Sequence, residues 1–214
     1  MTRGIFVTFE GMDGAGKSTQ AAILAASLRA RNKNVLETRE PGGSDAGEKL
    51  RRLVMDSGGG LDGVTETLLM AAARREHLVR RICPALARGE WVVCDRFSDS
   101  TFAYQGGGRG VRREWIAEVL RETEDGVRPD ITFYLQADAD SASQPLLSAG
   151  DSFENRRISF YHAVDAEYRR LAKENPRRII AVESFAMKKR RGKDEIAEEI
   201  YGAVAARFAG EFAK

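Results

Sequence analysis

The ten residues Glu10-Gly11-Met12-Asp13-Gly14-Ala15-Gly16-Lys17-Ser18-Thr19 constrain this chain more than any other stretch. They fit G-x-x-x-x-G-K-[ST], with Gly11, Gly16, Lys17 and Ser18 on the fixed positions. Residues 4–9 ahead of them form a short apolar run that reads as a buried strand, and residues 20–31 behind them carry apolar side chains at helical spacing. Strand, glycine-rich loop and helix in that order make a P-loop. Gly11, Gly14 and Gly16 let the backbone curl until several N–H groups point inward at phosphate oxygens. The helix beginning near Lys17 adds its positive end. Lys17 is placed to reach the β- and γ-phosphates of a nucleoside triphosphate, and the Ser18 hydroxyl to ligate Mg²⁺. The motif leaves the phosphate acceptor open.

The rest of the chain builds a sheet around that loop. Residues 34–39, 91–94, 131–135 and 178–182 read as four further strands, alternating with helical patterns near 45–54, 64–87, 112–122, 152–173 and 194–208. Ser44 or Asp45 is placed to cap the first of these helices, and Pro84 to bend or locally open the long one. Five strands alternating with helices predict an α/β, doubly wound parallel sheet flanked by helices on both faces. Residues 96–110 are polar and glycine-rich, and residues 137–150 are small, polar and without periodicity, a loop by pattern. One domain is expected from 214 residues, of which 43% are hydrophobic. A net charge of +2 gives no electrostatic case for nucleic acid or membrane as partner. Cys83 and Cys94 match no metal or disulfide spacing, the chain enters a strand at once without a signal peptide, and no apolar run is long enough to span a bilayer. A reduced, cytoplasmic protein is the expectation.

Ligands of such sheets bind at the carboxyl ends of the strands, so candidate residues should follow them. Asp95 ends the third strand, where a P-loop protein keeps a second carboxylate on the Mg²⁺ side, against the alternative of a turn cap. Arg96 beside it suits bidentate phosphate contact. Arg39 and Arg51 flank the turn 41–43. Arg74 lies in a small apolar helical patch, where it needs a partner, either a nucleotide or a carboxylate of the fold. Arg75, Arg80 and Arg81 read as a solvated face, residues 188–193 as a solvated basic loop, and His77 and His162 as ordinary helix residues.

Four segments together resemble bacterial-type thymidylate kinases: the P-loop, Arg39-Glu40-Pro41-Gly42-Gly43-Ser44, Asp95-Arg96-Phe97 with Ser100, and Ala103-Tyr104-Gln105-Gly106-Gly107-Gly108-Arg109-Gly110. The resemblance implies a three-layer P-loop kinase fold and transfer of phosphate from ATP to dTMP with Mg²⁺, usually by a homodimer. It implies that Gly11 to Thr19, including Met12, Gly14 and Ala15, hold ATP. Asp13 would lie near the acceptor sugar and the metal, with Ser18, Asp95 and Glu154 also on the metal side. Arg96, with Arg39 or Arg51, would bind the dTMP phosphate. Arg74 would read the thymine carbonyl edge, Thr101 and Gln105 would line the base pocket, and Tyr104 would favour deoxyribose. Pro41 would be cis.

Two positions depart from the pattern. Met70 stands where the family usually stacks a phenylalanine on thymine. The P-loop carries Ala15 and residues 139–150 carry no arginine or lysine, so neither usual source of a catalytic arginine is present. Arg156 and Arg157, next along the helix, are the candidates to replace it. Two alternatives remain: a kinase for another nucleoside or nucleotide, or a P-loop regulator that binds nucleotide and transfers phosphate weakly. A GTPase is disfavoured by the lack of an N-K-x-D segment.

Overall fold

The computed structural model describes residues 3–137, 152–186 and 189–212, with side chains of 152–157 and 185–190 outside that description. Five parallel strands form the central sheet: β1 (Phe6–Glu10), β2 (Val35–Arg39), β3 (Trp91–Asp95), β4 (Ile131–Gln136) and β5 (Ile179–Glu183). Their spatial order is β2-β3-β1-β4-β5. The strand preceding the P-loop is therefore central, with Thr8 opposite Cys94 on one side and Thr132 on the other. Burial on both faces suits its apolar Phe6, Val7 and Phe9, all wholly buried, while the buried Thr8 and Glu10 are hydrogen-bonded.

Helices cover both faces. α1 (Lys17–Arg29) packs Ala21, Leu24, Ala25 and Leu28 against one side, together with α7 (Ser152–Glu174) and α8 (Lys193–Arg207). A second core of Phe6, Leu78, Ile82, Leu86, Val92 and Phe97 fills the other. α2 (Asp45–Asp56) begins at Ser44, whose hydroxyl accepts from Gly47 N as an N-cap, while Asp45 and Glu48 favour the positive end. α3 (Gly63–His77) is capped by Asp62 in the same way. The predicted long helix does open before Pro84: Leu78–Ile82 is a π turn, followed by α4 (Cys83–Ala87). The proline lacks an N–H and its ring crowds the preceding turn, which the wider turn accommodates.

The polar, glycine-rich segment after β3 is helical, as α5 (Ser98–Thr101) followed by a π segment, Phe102–Gly108. Two readings need correction. The basic run is not a solvated loop: Lys189–Arg190 (β7) pairs antiparallel with Phe185–Ala186 (β6), and Arg191 is held by Glu195, Glu199 and the Glu183 carbonyl. His77 is wholly buried and hydrogen-bonded, as described below. α6 (Arg113–Glu124) and a terminal α9 (Ala209–Phe212) complete the chain. No helix among the described residues is long and apolar enough to cross a membrane.

Candidate active site

The carboxyl ends of β1, β2 and β3 open on one cavity of about 900 Å³. Asp13, Gly14, Gly16, Lys17, Ser18 and Thr19 form one end of it. Gly14 and Gly16 sit at φ 78° and 99°, in the left-handed region that glycine enters without strain. Gly11, Met12 and Ala15 do not line the cavity; Met12 and Ala15 turn their side chains into the core. The Met12 carbonyl accepts from Lys17 Nζ at 2.7 Å. Burial, then the charge of Arg96, pushes the Lys17 ammonium down to about 8.

Arg96 is the hub of the cavity floor. Its backbone is left-handed, φ 71°, unusual for a side chain with a Cβ, and this turns it back across the end of β1. Nη1 donates to Gly11 O at 3.0 Å, Ser100 Oγ at 3.1 Å and Tyr168 OH at 3.3 Å. Nη2 donates to Asp13 Oδ1 at 2.6 Å and Tyr104 OH at 3.1 Å. Burial alone would raise the Asp13 carboxyl, but Arg96 and Lys17 outweigh it and hold Asp13 below its ordinary range. Asp95 lies beside them: Ser18 Oγ donates to its Oδ2, while its Oδ1 is buried with no partner among the described residues. A hydroxyl and a carboxylate with a spare oxygen fit a hard cation that keeps waters and phosphate oxygens as its other ligands.

Beneath Arg96 lies Glu10. Its oxygens accept from Phe97 N at 2.7 Å, Ser100 Oγ at 2.6 Å and Tyr168 OH at 3.0 Å. Burial, then the Asp99 charge, pushes this carboxyl up to about 7. The Glu10 cradle fixes the turn that aims Arg96 and the start of α5.

The far end of the cavity is a slot walled by Glu66, Met70, Arg74, Thr101, Tyr104 and Gln105. Thr101, Tyr104 and Gln105 face it together because α5 and the π segment carry them at helical spacing. Arg74 is 4% exposed. Its Nε donates to Glu40 Oε2 at 2.7 Å, and Nη2 to Phe97 O at 3.1 Å and Thr101 Oγ1 at 3.0 Å. The partner left open by sequence is thus a carboxylate of the fold. Behind it, His77 Nδ1 donates to Glu40 Oε1 at 3.1 Å, and its Nε2 is hydrogen-bonded to the Thr38 hydroxyl at 2.7 Å. Burial works against the Glu40 charge, yet Arg74 and His77 hold its carboxyl below the ordinary range. A Cβ on Gly43 would stand 2.3 Å from His77 Nε2, so the turn after the cis Glu40–Pro41 bond has room only for glycine.

Arg39 and Arg51 both reach the rim, where Arg39 pairs with Glu48 at 2.8 Å and Arg51 donates to Pro41 O at 2.9 Å. The side chains of Glu154, Arg156 and Arg157, and residues 138–150 entirely, lie outside the described residues.

A phosphate loop and a buried arginine-walled slot thus share one cavity, and a family model described as Thymidylate kinase matches residues 9–196. The chain belongs to the thymidylate kinase family. It is 46% identical over 184 residues to a thymidylate kinase of Nitrosospira multiformis, covering 85% of this chain and 90% of that one. It is 47% identical, with the same coverage, to a thymidylate kinase of Cupriavidus metallidurans. A crystal structure of thymidylate kinase from Ehrlichia chaffeensis matches its fold with a TM-score of 0.79 at 35% identity, covering 94% of this chain and 98% of that one. Against the family motifs, sequence reasoning had missed Glu10, Glu40, Glu66, His77 and Tyr168. Glu10 and Glu40 stand inside motifs and could have been asked for their partners; Tyr168 and His77 carry no local signal.

Proposed function

We propose that this chain transfers the γ-phosphoryl group of ATP to dTMP, giving ADP and dTDP. The observation that carries the reading is the shared cavity: a triphosphate loop at one end, a slot walled by Met70, Arg74, Thr101 and Gln105 at the other, and Arg96 lining it as well. A phosphate oxygen of dTMP attacks the γ-phosphorus, the bond to the β,γ-bridging oxygen breaks, and ADP leaves with that electron pair.

The protein's part is positioning and charge. The P-loop N–H groups and Lys17 hold the β- and γ-phosphates. Arg96 holds the dTMP phosphate, with Arg39 and Arg51 able to add charge from the rim. Asp13 steadies Arg96 and faces the acceptor sugar. Arg74 donates toward the carbonyl edge of thymine, Met70 packs on the ring, and Tyr104 crowds the sugar. Ser18 and Asp95 would hold Mg²⁺, with Asp13 and Glu154 on the same side. Bound there, Mg²⁺ would neutralise charge on the transferring phosphates.

An ADP-release assay with ATP and a panel of deoxy- and ribonucleoside monophosphates tests the reading. Turnover on dTMP above all others is expected. Preference for another monophosphate, or tight binding without turnover, overturns it.

With alanine at position 15, the charge on the moving phosphoryl group falls to Arg156 and Arg157. Replacing both with Ala is expected to lower kcat by roughly 10³-fold, as for loss of a catalytic arginine, with dTMP affinity little changed. Unchanged kcat would mean that Lys17 and Mg²⁺ suffice or that another arginine serves.

The chain acts as a homodimer. Val64 and Leu68, one turn apart on α3, are large apolar side chains about half exposed, which suits a face covered by a second copy. Light scattering should give twice the chain mass, and Leu68→Glu should return it to the monomer. Two free cysteines, Cys83 and Cys94, suit a reducing cytoplasm.

A further inference from the structure

Glu66 stands in the first turn of α3, 8% exposed, in the wall of the slot. Both its oxygens are in use. Oε1 accepts from Gln105 Nε2 at 2.7 Å, and Oε2 from Arg109 Nη2 at 2.9 Å. Arg109 is itself braced by donating to Gly59 O at 3.3 Å. Nothing in the phosphoryl transfer requires this arrangement, yet all three side chains line the cavity.

A carboxylate only accepts, so the Gln105 amide must turn its NH₂ toward Glu66. The flipped amide would set its carbonyl against the carboxylate, acceptor to acceptor, in a buried setting. The Gln105 carbonyl oxygen accepts from no described residue, and it is not sealed away from the cavity. The slot therefore offers a base one fixed acceptor at this point, and Gln105 has no freedom to convert it to a donor.

We propose that Glu66, braced by Arg109, is a positioning residue that fixes the Gln105 amide and thereby selects keto pyrimidines over cytosine. The inference rests on the dTMP reading and adds the source of its base selectivity. Thymine and uracil carry a hydrogen on N3, which can donate to the Gln105 carbonyl. Cytosine N3 is a bare acceptor and would meet that carbonyl lone pair to lone pair. A site built to take a hydrogen bond discriminates strongly against a ligand that leaves it unmade. Glu66 touches no base in this scheme; it acts through the amide it holds.

The test uses the full chain and three monophosphates, dTMP, dUMP and dCMP. Dissociation constants come from calorimetry and kcat/KM from ADP release, for wild type, Glu66→Gln and Arg109→Gln. Glutamine at 66 keeps the size but can donate or accept, so Gln105 is free to flip. The ratio of dTMP to dCMP affinity is expected to fall by about ten-fold or more in Glu66→Gln, with dUMP following dTMP. Arg109→Gln should move the ratio the same way by less, and it decides the matter if Glu66→Gln does not fold. A ratio unchanged in the variants, with any loss spread evenly over the three ligands, makes Glu66 a scaffold residue and overturns the proposal. Absence of dTMP turnover in the wild type would refute the functional reading instead, while the binding ratios would still decide the role of Glu66.

Discussion

Lys17 shows how a single side chain sets the conditions under which the site works. It is 6% exposed and hemmed by Arg96, and both facts disfavour its charge in the free chain. With the pKa pushed down to about 8 from an ordinary 10.5, the ammonium is lost on raising the pH through that value. A bound triphosphate supplies the opposite charge and restores the proton. ATP affinity should therefore hold below about pH 8 and weaken above it, with net proton uptake on binding in the alkaline range. Calorimetry in buffers of different ionisation enthalpy measures that uptake; none at pH 9 would show the ammonium charged throughout. Asp13 is also shifted down, but for a carboxyl that favours the charge: burial works against it, and Arg96 and Lys17 outweigh burial.

At the scale of elements, the π segment 102–108 packs extensively along α7. A Cβ on Gly107 would lie 2.7 Å from the Ala163 carbonyl oxygen, and one on Gly108 would lie 2.3 Å from the Phe160 ring. The ring can swing aside, but the carbonyl belongs to a helix backbone. Gly107→Ala should destabilise the chain by about 1–3 kcal/mol and raise KM for dTMP, because Tyr104 and Gln105 ride on the displaced segment. Gly202 in α8 has nothing within 4 Å of the same added atom, and Gly202→Ala should stabilise by about 0.5–1 kcal/mol. Thermal melts and steady-state kinetics on the two variants check both signs. This contact marks where the sequence stops being readable. The five strands declare themselves through apolar runs bounded by turns, and the P-loop through spacing alone. The run of glycines at 106–108 looks like a loop by composition; it is helical because α7 requires residues without side chains there. That requirement comes from a partner more than 50 positions away, which no local window contains. Partners outside any local window also define Glu10, 158 positions from Tyr168, and Glu66, 39 positions from Gln105. Their residue types are ordinary, and only the folded neighbour reveals the job. Glu40 and His77 were hidden for another reason, since a histidine in a helical pattern gives no sign that it faces a buried carboxylate.

Across the whole molecule, a line of polar groups crosses the sheet beneath the site. The Thr8 and Thr132 hydroxyls pair at 2.7 Å between β1 and β4, and Arg178 at the start of β5 donates to Thr132 Oγ1 at 2.9 Å. Arg178 also clasps Asp99 of α5, with contacts of 2.7 and 2.9 Å. Asp99 is 5% exposed, so removing the guanidinium would strand a buried carboxylate. Arg178→Met is expected to destabilise by about 3 kcal/mol, with the melting temperature falling by roughly 6–12 °C. A loss within 2 °C would show that water replaces the arginine. The strand order also bears on how the chain is made. β1 is synthesised first yet sits in the middle, and its neighbours β3 and β4 do not exist until residues 95 and 136 have been added. The phosphate loop thus leaves the ribosome long before it has walls. A nascent chain halted at residue 89 would carry the complete motif and hold no nucleotide, and competence would arrive abruptly, late in translation, when the inner strands close on the oldest one.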